Sequence, residues 1–107
     1  MSRPQPHWAK FGAEYWPCKI VDENIFDLSH YSIQRSSKTG KYVLPPGHVC
    51  VQYFSADEND STVSILPRGV LTPIDFTDDA VNEARCRANE DIEKSFIAAR
   101  KYFYEPI

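Results

Sequence analysis

The stretch from Trp8 to Pro17, WAKFGAEYWP, constrains this chain more than any other. Trp8, Phe11, Tyr15 and Trp16 fall within ten residues, with Gly12 as the one glycine between the two aromatic pairs. Glycine takes a positive φ without steric cost, so the backbone can arch back at Gly12. Pro17 fixes its own φ and biases Trp16 toward an extended conformation. Aromatic side chains dominate core burial in small domains, and one reading assigns all four rings to the core. Four rings in one arch exceed what packing a turn requires. The other reading closes the core with some of them and leaves one or two facing out for a ligand.

A chain of 107 residues has the size of one domain. It is 42% hydrophobic and 13% aromatic, enough for a compact core and contrary to disorder. No apolar run reaches membrane-spanning length, and the opening MSRPQPHW lacks a signal-peptide core. The expectation is a soluble intracellular protein with no membrane role. Cys18, Cys50 and Cys86 are widely spaced and form no CxxC pair, so free buried thiols are expected rather than zinc or a redox dithiol. Neither a metal nor a cofactor is implied. The formal charge is −3, so any nucleic-acid contact must come from a local basic patch.

Along the chain, a first strand is expected near Trp8 and a second at Cys18–Val21. Residues 22–47 lack clear periodicity and read as a long surface insertion, with one short element around Ile25–Leu28. Val49–Phe54 alternates as a strand, with Val49, Val51 and Tyr53 on one side and Cys50 and Phe54 on the other. An acidic turn follows at Ser55–Asp60, then a returning strand at Thr62–Leu66 and a short closing piece at Val70–Ile74. Four or five short strands with tight turns suggest a small barrel spanning about residues 5–75.

From Asp78 the period changes to that of a helix, about 78–104. Val81, Ala84, Ala88, Ile92, Phe96, Ala99 and Phe103 form one stripe at spacings of three and four. Thr77 or Asp78 can cap its start, and Glu83–Arg87 and Glu90–Lys94 are favourably ordered i,i+4 pairs. A single helix of this length would run roughly 40 Å, longer than a small barrel, so it overhangs or breaks, with Asn89 the expected break.

Trp8-Ala9-Lys10, then Gly12, then Tyr15-Trp16-Pro17 resembles the start of a PWWP domain. The four motif positions are Glu14, Tyr15, Trp16 and Pro17, so the first Pro and first Trp of the name-giving motif are replaced. Val51-Gln52-Tyr53-Phe54 resembles the family's third strand, and Leu66–Ile74, LPRGVLTPI, its closing stretch. The resemblance covers 8–21, 49–54 and 65–74 in the right order. It implies a mainly β fold with a C-terminal α part: a five-stranded SH3/Tudor-like barrel followed by a helical segment, in one domain over 1–107. It also implies a chromatin reader, not an enzyme, that holds a methylated lysine of a histone tail in an aromatic cage beside nucleosomal DNA. By position the cage walls are Phe11, Trp16 and Tyr53, while Trp8, Tyr15 and Phe54 are structural. Ala13 stands where many members carry a further aromatic, and Asp57 and Glu58 are candidates for the cage rim. Lys10, Lys19, Arg35, Lys38 and Lys41 are the candidates for DNA contact. The implied setting is nuclear, as a monomeric module of a larger protein involved in transcription.

The residues also admit other readings. The barrel can bind nucleic acid by stacking and phosphate contacts, or dock a protein through its helix, without methyl-lysine recognition. Catalysis finds little support, because His7, His30 and His48 and the three cysteines lie in no recognisable motif.

Overall fold

The computed structural model describes residues 5–28, 31, 33–55 and 62–104. β1 (Pro6–Phe11), β2 (Glu14–Val21), β3 (His48–Tyr53), β4 (Val63–Pro67) and β5 (Leu71–Pro73) form one antiparallel sheet in the order β4-β3-β2-β1-β5. Two helices follow, α1 (Asp79–Cys86) and α2 (Glu90–Tyr104). The strand count, the antiparallel pairing and the helical C-terminal part agree with the sequence. The expected barrel is not closed, because no ladder joins β4 to β5 among the described residues. Only the short 3₁₀ turn Arg68–Val70 links these two edge strands. Their composition explains the open ladder. Pro67 and Pro73 lack the N–H a closing ladder would need, and β5 is only three residues long.

The β1–β2 arch is a two-residue hairpin. Phe11 pairs with Glu14 across Gly12 and Ala13, and Gly12 has φ +60° while no described non-glycine residue has positive φ. Glycine at the first central position of a two-residue turn is the type II′ arrangement, whose twist matches that of the flanking strands. A Cβ on Gly12 would meet nothing within 4 Å, so the demand for glycine here is conformational and not steric.

Period-2 alternation divides the strands between two faces. Ala9, Cys18, Val49 and Val51 pack on one face with Ile20, Tyr53, Leu66 and Leu71 around them, inside the curl of the sheet. The opposite face is covered twice over. Trp8 packs there with Ile74, Phe76, Ile92 and Ala99, beneath the helices. Further along the same face, Cys50 packs with Leu28 and Tyr42 of the 22–47 segment. That segment is therefore more than a surface insertion. It opens with a 3₁₀ turn at Glu23–Ile25, upstream of the expected element, and carries a small hairpin with Arg35 bridged to Tyr42. The Leu28 N–H donates to the Tyr42 hydroxyl at 3.0 Å, and the Tyr42 N–H to Asn24 Oδ1 at 2.8 Å. The reason is in β3. Val49, Cys50 and Val51 are all buried, so this strand needs a cover on both faces.

The helical region is two helices, interrupted over residues 87–89. Asp78 caps α1 by accepting the Val81 N–H, and Asn89 Oδ1 accepts the Asp91 N–H at the start of α2. The break resets the helical phase. Ile92, Phe96 and Ala99 of the expected stripe face the sheet in α2. In α1 the inward residues are Asn82, Arg85 and Cys86, while Val81 and Ala84, like Ala88 in the interruption, are exposed. The expected stripe therefore holds only after the break. Arg85 lies over the sheet's aromatic residues, its guanidinium carbon 3.9 Å from the Tyr15 ring centroid and 5.2 Å from that of Trp8. Both expected ion pairs form, Glu83–Arg87 at 3.4 Å and Glu90–Lys94 at 3.6 Å, but both are exposed and add little stability. No described helix is long and apolar enough to cross a membrane.

Trp8, 1% exposed, stacks on Phe96 with ring centroids 5.5 Å apart and planes 2° from parallel. Trp8→Ala should lower the unfolding free energy by about 3–5 kcal/mol, read from the shift of the urea midpoint. The Ser95 hydroxyl donates to the Phe54 carbonyl at 2.6 Å, tying α2 to the end of β3. Ser95→Ala should cost about 1–3 kcal/mol by leaving that carbonyl without its donor, measured in the same titration. Burial pushes the Cys18 thiol up to about 12 and the Cys50 thiol up to about 11, and raises Cys86 as well. Only the thiolate attacks alkylating reagents. Native protein near pH 8 should therefore label first at half-buried Cys86, and at Cys18 and Cys50 only on unfolding, as mass spectrometry of iodoacetamide-treated protein would reveal.

Candidate functional site

The ladder register brings the rings of the arch together with the end of β3. Ala9 pairs with Trp16 and Phe11 with Glu14, while Cys18 pairs with Tyr53. Phe11, Trp16 and Tyr53 therefore project from one face, at one end of the sheet. They line a single cavity of about 570 Å³, within the range of small-molecule clefts. The Phe11 and Tyr53 rings lie 6.2 Å apart between centroids at 48°, and Phe11 is 42% exposed. Burial pushes the Tyr53 phenol above its ordinary value, outweighing the opposing effect of its hydrogen bond with Ser64, so the ring stays neutral.

The cavity has further walls that the sequence did not disclose. Phe54 contributes a fourth ring, although its place in the strand-three pair suggested a structural role. It also performs that role, packing on Tyr102 at 5.5 Å between centroids. β3 ends at Tyr53, which frees Phe54 from strict alternation and lets it serve both surfaces. Ser55 and Thr62 flank the rings, and Asp91, Lys94 and Ser95 of α2 form the opposite wall. These three are spaced i, i+3, i+4 on one helical side, a signal present in the sequence but meaningful only once the helix break sets their phase.

Two hydrogen bonds hold this helical wall against the aromatic one. Ser95 reaches the Phe54 carbonyl, and Asn89 Nδ2 donates to Glu14 Oε2 at 3.3 Å. Glu14 stands at the first motif position, where the family's name has proline. Proline would offer no acceptor to the helix junction. Ala13 is exposed on the hairpin turn and takes no part in the cavity wall. Asp57 and Glu58 lie outside the described residues.

The basic candidates fall in different settings. Lys10 is exposed on β1, its ammonium 5.9 Å from the Tyr15 centroid. Lys19 packs over the rings that join α2 to the sheet, 4.3 Å from the Tyr102 centroid and 5.9 Å from that of Phe54. Arg35 Nη1 donates to the Gly40 carbonyl at 2.8 Å, and its guanidinium stacks on Tyr42 at 4.1 Å. Lys38 and Lys41 are exposed in the hairpin that Arg35 braces. Among the described residues, no three of His, Cys, Asp and Glu gather as a metal ion would need.

The solved structures include one similar to this chain, described as the crystal structure of WHSC1L1-PWWP2. It is 20% identical, with a TM-score of 0.55 over 98% of this chain and 86% of that one. At that identity the likeness speaks for the fold alone. No curated protein matches. A family model described as PWWP domain matches residues 5–104, nearly the whole length. That family comprises chromatin-reader modules that bind histone tails and DNA, and is not a catalytic one. The hairpin with its rings, the five-stranded sheet, the C-terminal helices and the match over 5–104 all lead to one assignment: this chain belongs to the PWWP-domain family.

Proposed function

We propose that this domain binds a methylated lysine of a histone tail in the cavity walled by Phe11, Trp16, Tyr53 and Phe54. The observation that carries the reading is the convergence of these four rings, from separate parts of the chain, on one open cavity. Each added methyl group removes an N–H and adds apolar surface, so the guest loses little by leaving water. The negative faces of the rings attract its charge. Phe11, 42% exposed, keeps its ring accessible to such a guest.

The strength of such a site is limited. Cation–π contacts supply ~0.5–2 kcal/mol per ring face, and a total of about 4 kcal/mol corresponds to millimolar affinity. A second contact on the same nucleosome would raise the effective affinity by proximity. Lys10, with Lys38, Lys41 and their brace Arg35, supplies cations for nucleosomal DNA, while Lys19 acts mainly in holding α2. The domain then works in the nucleus as a monomeric reader module of a larger protein, locating it on chromatin for transcription. The chemistry of that larger protein lies outside this domain.

Titration of the ¹⁵N-labelled domain with histone-tail peptides, methylated and unmodified, tests this reading. Methylated peptide should shift the Trp16 indole and Tyr53 backbone signals with a Kd on the order of millimolar, and unmodified peptide should not. Trp16→Ala should abolish the shifts while the circular dichroism spectrum persists. Lys38→Glu with Lys41→Glu should weaken DNA binding and its salt dependence but leave peptide binding intact. Salt-sensitive DNA binding that survives Trp16→Ala, with no response to any methylated peptide, would replace the reader with a nucleic-acid-binding module.

A further inference from the structure

The rings do not account for the whole cavity. Its other wall is α2, held in place by the Ser95–Phe54 and Asn89–Glu14 hydrogen bonds. The charged groups on that wall are Asp91 and Lys94. Lys94 is paired with Glu90 at 3.6 Å. Asp91 uses its backbone N–H to bond Asn89 Oδ1, but among the described residues no hydrogen bond or ion pair engages its carboxylate. The Ser95 hydroxyl proton is directed to the Phe54 carbonyl and the Tyr53 hydroxyl bonds Ser64. Among the described residues, the cavity therefore offers a cationic guest several ring faces on one side and one uncommitted anionic acceptor on the other.

We infer that Asp91 sets the methylation-state preference of this cavity, favouring a mono- or dimethylated ammonium over a trimethylated one. This rests on the methyl-lysine reading above. Ring faces attract all methylated ammonium ions by the same means and gain slightly with each added methyl. A carboxylate distinguishes them, because a mono- or dimethylammonium still has an N–H to donate and a trimethylammonium has none. The resulting bond is charge-assisted, the stronger class of hydrogen bond. A cavity of about 570 Å³ is far larger than one methylated ammonium, so the guest can settle toward the helix without leaving the rings.

Asp91 also lies in the first turn of α2, where any acid favours the helix dipole. Glu90 and Glu93 share that role, and Glu93 does not line the cavity. Glu93→Gln is therefore the control for a purely helical effect.

The experiment titrates wild type, Asp91→Asn, Glu93→Gln and Trp16→Ala with one histone-tail peptide series carrying zero to three methyl groups on the same lysine. Wild type should bind the mono- and dimethylated peptides roughly three- to tenfold more tightly than the trimethylated one, the span expected for one partly solvated charge-assisted bond. Asp91→Asn should erase that ratio with thermal stability retained, and Glu93→Gln should preserve it. A wild type that prefers the trimethylated peptide overturns the inference before any variant is made. An unchanged ratio in Asp91→Asn, with binding still lost in Trp16→Ala, overturns the role of Asp91 and leaves the cage standing. No binding of any methylated peptide removes the cage and the inference together.

Discussion

The burial of Trp8 is the contact on which the rest of this structure depends. Its indole leaves the sheet on the face away from the curl, stacks flat on Phe96 of α2 and lies beneath Arg85 of α1. An aromatic stack adds about 0.5–1.5 kcal/mol to the larger gain from burying the ring area itself. One side chain of β1 thus fixes both helices to the sheet. Ile92 and Ala99, fully buried on either side of Phe96 in α2, complete the seam. Without the seam the sheet would expose Trp8, Ile74 and Phe76 together, an apolar patch a monomer does not keep in water.

The cavity inherits its shape from that seam. Its aromatic wall belongs to the β1–β2 hairpin and the end of β3, and its polar wall belongs to α2. Trp8 does not itself line the cavity, yet the separation of the two walls is set by how closely α2 docks. Arg85 strengthens the arrangement by covering Tyr15, the immediate neighbour of Trp16 and on the opposite face of the same strand. Adjacent aromatic residues in β2 thus divide the work: Tyr15 fastens the helices, and Trp16 is left half-buried at the cavity. Glu14 extends the division by one residue, since it reaches Asn89 at the junction between α1 and α2. The degenerate motif is in this sense an anchor as well as a wall.

The arch at Gly12 and the succession of sheet and then helices were legible because strand alternation and a positive-φ glycine act locally, whereas the grouping of Phe11, Trp16 and Tyr53 was implied only by the resemblance to the family. What was hidden depends on long-range facts. The inward turn of Asn82, Arg85 and Cys86 in α1 follows from the interruption at 87–89, which a continuous helical pattern cannot represent. Arg85 carries no signal of its own in the sequence, because its aliphatic stem and planar guanidinium suit it to cover rings only once Trp8 and Tyr15 are beneath it. The covering role of Leu28 and Tyr42 is similarly non-local. The 22–47 segment lacks periodicity because it contributes isolated apolar side chains to a face built by other strands. The one available clue was the run Val49-Cys50-Val51, too uniformly apolar for a strand with a wet side.

Charge separates the two surfaces a nucleosome would present. With a formal charge of −3, the chain as a whole repels DNA, so basic residues can act only where they are exposed and locally unopposed. The hairpin that carries Lys38 and Lys41 meets the first condition. Its base also adjoins the negative charge of Asp22, whose carboxyl is held below its usual range mainly by the Asn24 N–H bond, with a smaller contribution from Lys41. Lys41 is thus partly offset at home. The cavity has the opposite arrangement: its rings present negative faces, and Asp91 adds a formal charge to them. On the proposed reading, a cationic tail and an anionic duplex would not compete for one surface. The weak attraction available at each would become useful if a single nucleosome satisfied both.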